Sequence, residues 1–251
     1  MRIIDGHTHI SPGRAALAVR VMDAVGIESA VVAQWPDGHL DRAIEDIARY
    51  KEFPGRFILF GNFDLAGIDQ PGFADRTVAE LRRAADAGMR GVKVYKALGL
   101  GARDASGELL RVDDERLDPI WAAAGELGLP VLFHTADPRA FWEPMDEHNP
   151  WHAVLLNQPD WSYYRRGLPG RDELLGERNR VILRHPGTNF IGPHLGSWED
   201  DFETLAEMLE AMGNLFVDIS ARVTSFGPTD RRARAAQKLF ADFPDRIIFG
   251  T

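Results

Sequence analysis

The apolar residues of this chain follow two alternating rhythms. Short runs rich in Val, Ile, Leu, Phe and Ala recur at 2–9, 28–34, 56–64, 91–97, 130–137, 189–197, 215–223 and 246–251. Between most of them lie stretches whose apolar positions fall three and four residues apart, at 14–25, 41–50, 77–87, 116–128, 172–184, 200–212 and 230–243. The first rhythm reads as buried strands and the second as amphipathic helices, with Gly26 and Gly88 ending two of them. Eight strands alternating with helices predict an α/β fold, a closed (β/α)8 TIM barrel, with an open doubly wound sheet as the alternative. The open sheet collects its ligands at one crevice, whereas the candidate side chains here recur after strands 1, 5 and 6. No linker divides residues 1–251, so one barrel domain is expected. The irregular stretch 138–170 holds Trp142, Trp151 and Trp161 with Tyr163 and Tyr164. A loop this long and aromatic reads as a lid-like insertion, or as a surface that packs at a subunit interface of a homo-oligomer.

Strand phase then sorts the polar residues. Side chains at i and i+2 share a face, so His7 and His9 can reach one point, with Asp5 one step below as a supporting acceptor or as a buried carboxylate tied to backbone amides. Lys93 shares its face with Tyr95 and opposes Val92 and Val94, which turns Lys93 inward, where an ammonium must be paired or used. His134 and His194 stand near the ends of strands 5 and 6. Arg222 lies in phase beyond Asp218 and Ser220, suited to clamping a substrate carboxylate or to an ion pair at the rim. Asp137 and Trp142, at the start of the insertion, complete the expected substrate contacts with Lys93 and Arg222. His148 and His152 read as surface residues, and His185 as a helix-terminal one.

Composition narrows the partners. With 38 acidic against 29 basic residues and a formal charge of −9, affinity for nucleic acid or an anionic membrane is not expected. There is no cysteine, so any metal must be held by His, Asp, Glu or a modified Lys. No apolar run is long enough for a membrane span, and the chain opens directly into a strand, so a cytoplasmic location and a small-molecule substrate, including an anionic one, are expected.

Taken together, Asp5-Gly6-His7-Thr8-His9, His134-Thr135-Ala136-Asp137, Gly192-Pro193-His194-Leu195-Gly196 and Ile247-Ile248-Phe249-Gly250-Thr251 resemble the amidohydrolase superfamily. The similarity is to the amidohydrolase-related branch that includes aminocarboxymuconate semialdehyde decarboxylase. That resemblance implies one divalent metal ion, zinc, held by His7, His9 and His134, with His194 assisting catalysis. It also implies an aspartate after strand 8, expected at position 252, so the barrel reads as truncated after strand 8. In binuclear relatives a carboxylated lysine after strand 4 bridges two ions, but Lys93 lies below the rim and is expected to be unmodified beside a single ion. The expected activity is hydrolysis of a small amide, ester or lactone by a metal-activated water. Non-oxidative decarboxylation of an unsaturated or aromatic acid, or a catalytically inactive fragment, are the alternatives.

Overall fold

The computed structural model describes residues 2–36, 39–227 and 230–251. Its eight strands are β1 (Ile4–Thr8), β2 (Ser29–Ala33), β3 (Phe57–Gly61), β4 (Gly91–Val94), β5 (Val131–Phe133), β6 (Phe190–Gly192), β7 (Leu215–Asp218) and β8 (Ile247–Ile248). They form one parallel sheet in sequence order, a nearly closed barrel with helices between the strands. This is the (β/α)8 architecture that the alternating rhythms predict. At the seam the Gly6 N–H donates to Phe249 O at 2.8 Å. Only glycine fits there, because a Cβ on Gly6 would stand 2.3 Å from Ile248 Cγ2 and 2.8 Å from Phe249 O.

The helices are α1 (Ala15–Val25), α2 (Leu40–Tyr50), α3 (Phe73–Ala87), α4 (Asp118–Glu126), α5 (His152–Asn157), α6 (Arg171–Arg184), α7 (Phe202–Ala211) and α8 (Asp230–Asp242). Gly26 and Gly88 adopt φ of 77° and 119° and cap α1 and α3, as their positions in the sequence suggest. α3 begins four residues before the expected start, because Phe73 adds a buried side chain to the face that carries Leu81 and Ala84. The outward sides of the strands, such as Val92, Val131 and Phe190, pack against α3, α4 and α6 through Leu81, Trp121 and Val181. No helix among the described residues is long and apolar enough to cross a membrane.

The strands are shorter than the apolar runs, and what they leave over forms the site. Val31, Ala33, Phe60, Leu132 and Ile191 plug the barrel interior. One step further along the same inward phase the residues become polar: Asp5, His7, Asn62, Lys93 and Asp218 are all buried. His9, Lys96, His134 and Ser220 fall beyond the ends of their strands. Segment 138–170 is not structureless: besides α5 it contains 3-10 turns at Arg139–Trp142 and Pro159–Trp161. It is built on a small core of Phe141, Leu155 and Tyr163, with Trp142, Trp151 and Leu168 packed against it.

Candidate metal centre

Four imidazoles meet at the C-terminal mouth of the barrel. The ring of His7 lies 5.3 Å from that of His9 and 5.3 Å from that of His194, and His134 lies 4.9 Å from His194. Three of the rings have an acceptor beside Nδ1, which makes that nitrogen the donor and leaves Nε2 with its lone pair. His7 Nδ1 donates to Asp218 Oδ2 at 2.8 Å, His9 Nδ1 to Ala33 O at 2.9 Å, and His194 Nδ1 to Ser220 O at 2.8 Å. His9 is also stacked on Trp35, with centroids 4.6 Å apart. His134 Nε2 is buried without a hydrogen-bond partner and stands 3.5 Å from Asp137 Oδ1.

Burial lowers His134 to a pKa of about 4 and, with the charges of His7 and Lys93, lowers His9 to about 4 as well. His194 is pushed well below its ordinary value by burial and then by His134. These three rings are therefore neutral at neutral pH, the form a metal requires.

Asp218 organises the cluster. Its Oδ2 accepts from His7, while Oδ1 accepts from the His194 N–H at 2.9 Å, the Ser220 N–H at 3.0 Å and the Ser220 hydroxyl at 2.6 Å. Burial would raise its pKa, but the hydrogen bond and charge of His7, then His194 and Ser220, hold it below the usual carboxylate range. Ligand atoms of His7, His194 and Asp218 lie within 4.8 Å of one another, close enough to share an ion. The strand phase of Asp218 and Ser220 is visible in the sequence, but only as the register that leads to Arg222. The role of Asp218 in holding the His7 ring and the His194 backbone depends on the turn after β6, which no sequence rhythm reveals.

That turn is unusual. His194, Leu195, Gly196 and Ser197 have φ of 59°, 59°, 61° and 66°, a run of left-handed backbone. The three non-glycine residues together cost about 3–6 kcal/mol at the usual penalty per residue. Such strain persists where the surroundings over-determine it.

The expected substrate contacts divide. Lys93 Nζ is buried without a hydrogen-bond partner, 4.9 Å from the Tyr95 ring centroid, and burial lowers its pKa to about 7 against the opposing charge of Asp218. It lines a cavity of about 190 Å³ with Asn62, Phe63, Leu65, Pro36 and Tyr95. Arg222 is buried with its Nε 3.6 Å from Glu199 Oε1 and its guanidinium 5.5 Å from the Trp151 ring. Asp137 is already engaged by Lys96, by the Tyr163 hydroxyl at 2.7 Å and by the contact with His134. Trp142 serves segment 138–170 itself, donating to Pro169 O at 2.9 Å and packing on Tyr163 at 4.5 Å. Trp151, not Trp142, reaches the rim, while His148 is exposed and His185 bonds Asp118 Oδ1 at 3.0 Å.

The donor set suits a divalent ion: imidazoles with fixed tautomers, free Nε2 atoms, and a buried carboxylate as oriented support. Similar folds occur among solved structures. A 2,6-dihydroxybenzoate decarboxylase from Rhizobium shares 18% identity, with a TM-score of 0.59 over 100% of this chain and 88% of that one. A 5-carboxyvanillate decarboxylase from Sphingomonas paucimobilis shares 13% identity, with a TM-score of 0.58 over 99% and 88% of the two chains. An amidohydrolase from Burkholderia multivorans with bound zinc shares 16%, with a TM-score of 0.56 over 100% and 84%. At these identities the likeness is one of fold. Curated protein sequences give no match. Residues 4–251, nearly the whole chain and all of the centre, match the amidohydrolase family, and the chain belongs to that family.

Proposed function

We propose that the chain is a metal-dependent hydrolase of a small ester, lactone or amide that carries an anionic group. The observation that carries this reading is the meeting of His7, His9, His134 and His194, with His9, His134 and His194 neutral and the Nδ1 atoms of His7, His9 and His194 committed to acceptors. His7, His9 and His134 would hold one divalent ion, zinc, with Asp218 orienting His7. Such an ion lowers the pKa of water toward 7 and polarises a carbonyl.

His194 is the proton-transfer group. Its Nδ1–H is committed to Ser220 O, so Nε2 accepts a proton from the attacking water and returns it to the departing oxygen or nitrogen. Asp218 has both oxygens occupied by donors and keeps His7 and the His194 backbone in place instead of acting as the base. Lys93 and Arg222 supply positive charge for the substrate's anionic group. Segment 138–170, joined to the rim through Tyr163 and Trp151, limits the access of bulk water.

A second reading, decarboxylation of an unsaturated or aromatic acid, draws on the cavity beside Lys93, whose apolar wall of Phe63 and Leu65 suits a flat carbon skeleton. There His194 would deliver a proton to carbon. Zinc-loaded protein assayed against small esters and lactones, and in parallel for carbon dioxide release from aryl and enoic acids, separates the two. Failure of the zinc-free chain to take up about one equivalent of zinc per chain would refute both.

A further inference from the structure

We propose that Arg171 and Arg178 are positioning residues for His194, holding from α6 the left-handed turn that aims its ring into the centre. The inference rests on the reading of His194 as the proton-transfer group. The first ten residues of α6, RDELLGERNR, are mostly polar and charged, yet Arg171 is 3% exposed and Arg178 1%. Seven residues apart, the two share one helix face, and both donate to the turn. Arg178 Nη1 donates to Gly196 O at 2.7 Å, and Arg171 Nη2 donates to Ser197 O.

The two arginines differ in what else holds them. Arg171 meets Asp172 and Asp200 at 3.1 Å each and lies 4.6 Å over the Trp198 ring. Arg178 pairs with no carboxylate among the described residues. Its Nε and Nη2 reach only the side-chain oxygen of Asn179, at 3.2 and 3.1 Å. A buried guanidinium without a counter-ion is a poor way to add stability, since an apolar side chain of similar size serves as well or better. What Arg178 supplies that methionine cannot is a donor at one fixed place.

That place matters because the carbonyls of His194 and Leu195 accept within the turn, from the Ser197 and Trp198 N–H groups at 3.2 and 3.0 Å, whereas those of Gly196 and Ser197 take their donors from the arginines, and a buried carbonyl needs a partner. The remaining tethers of the turn lead to the centre: Ser197 Oγ donates to Ala136 O at 2.7 Å, and the His194 N–H to Asp218 Oδ1 at 2.9 Å. With its carbonyls held from behind and His194 held in front, the turn fixes the bond from His194 Nδ1 to Ser220 O. Loss of the rear anchor lets the backbone relax toward ordinary φ and frees the ring.

The test is Arg178→Met in the full chain, read by nitrogen-15 imidazole correlation spectra and by the backbone couplings of His194 and Leu195. The wild type is expected to show His194 as a single Nδ1–H tautomer with left-handed couplings. Arg178→Met is expected to stay folded and melt within a few degrees of the wild type, with mixed His194 tautomers and averaged couplings. Arg178→Lys should restore part of the signature. Ser197→Gly, which adopts positive φ without penalty, should shrink the effect of Arg178→Met several-fold. A folded Arg178→Met variant with unchanged tautomer and couplings overturns the proposal. If Arg178→Met does not fold, the same spectra of Arg171→Met decide in the same way. Collapse of both variants without rescue by Ser197→Gly makes the arginines general supports of the barrel and also overturns it. Zinc uptake is measured on the same wild-type sample: a chain that takes up none refutes the proposed function and leaves the tautomer result standing.

Discussion

Replacing Asp218 by asparagine changes one atom and should disable the centre through His7. The carboxylate is fully buried and accepts from His7 Nδ1 at 2.8 Å through Oδ2. In Asp218→Asn one side-chain atom becomes an NH2 donor. If it replaces Oδ2, it faces the His7 N–H; if it replaces Oδ1, it faces the three donors from His194 and Ser220. The first arrangement keeps more bonds. It forces His7 to move its proton to Nε2, the nitrogen a metal needs. Loss of such a supporting partner typically lowers metal affinity 10–100-fold, about 1.4–2.7 kcal/mol. Loss of the charge-assisted bond costs about 1.5–3 kcal/mol in stability, a fall of about 3–12 °C in Tm for a chain of this size. Competition with a chromophoric chelator gives the zinc Kd, and a circular dichroism melt gives Tm. A zinc Kd within threefold of the wild type refutes the reasoning. A loss beyond about 1,000-fold, well above the range for a supporting partner, shows instead that Asp218 binds the ion directly, as its closeness to His7 and His194 permits.

His134→Ala is expected to lower zinc occupancy well below one per chain in elemental analysis, because it removes a buried, unpartnered Nε2 at the centre; retention of full occupancy would sink the assignment. Lys93→Met should stabilise the zinc-free chain by about 1–4 kcal/mol at pH 7. Because the folded-state pKa of Lys93 is lowered to about 7, the unfolded chain binds the extra proton between pH 7 and its ordinary value of 10.5. Wild-type stability therefore rises with pH across that window, and the Met variant should lose this part of the slope; melting at or below the wild type at pH 7 argues against it. Gly6→Ala puts a methyl group into Ile248 and the carbonyl of Phe249 at the β1–β8 seam. It should cost about 1–3 kcal/mol or more by overpacking, and an unchanged urea midpoint would show that the seam yields freely.

The fold was legible because burial on both sides of a parallel strand leaves an apolar run, and the helices between keep their own spacing. Strand phase also accounts for the meeting of the imidazoles, His7 beside His9 and His194 and His134 beside His194, and for the burial of Lys93 between Val92 and Val94. What phase cannot show is how a polar side chain is spent once it arrives. Asp137 and Trp142 read as substrate contacts in the sequence, but in the fold Lys96 and Tyr163 engage the first, and Pro169 and Tyr163 the second. These pairings join residues 21 to 41 positions apart across loops whose path has no periodic signal.

The buried arginines of α6 mark the same limit from the other side. An arginine in a polar helix reads as solvated, and only the left-handed turn explains why two of them point inward. That turn exists because His194 must leave β6 and bend back over Asp218 within one residue. That backbone sets the His194 N–H against Asp218 Oδ1 and the ring against Ser220 O, so the strain is the local cost of placing an imidazole there. A chain that stores strain at one residue needs donors and acceptors around it fixed more firmly than the residue itself. Here they come from β7 in front and α6 behind. The chemistry of His194 is therefore set by residues that no inspection of the β6 motif alone would single out.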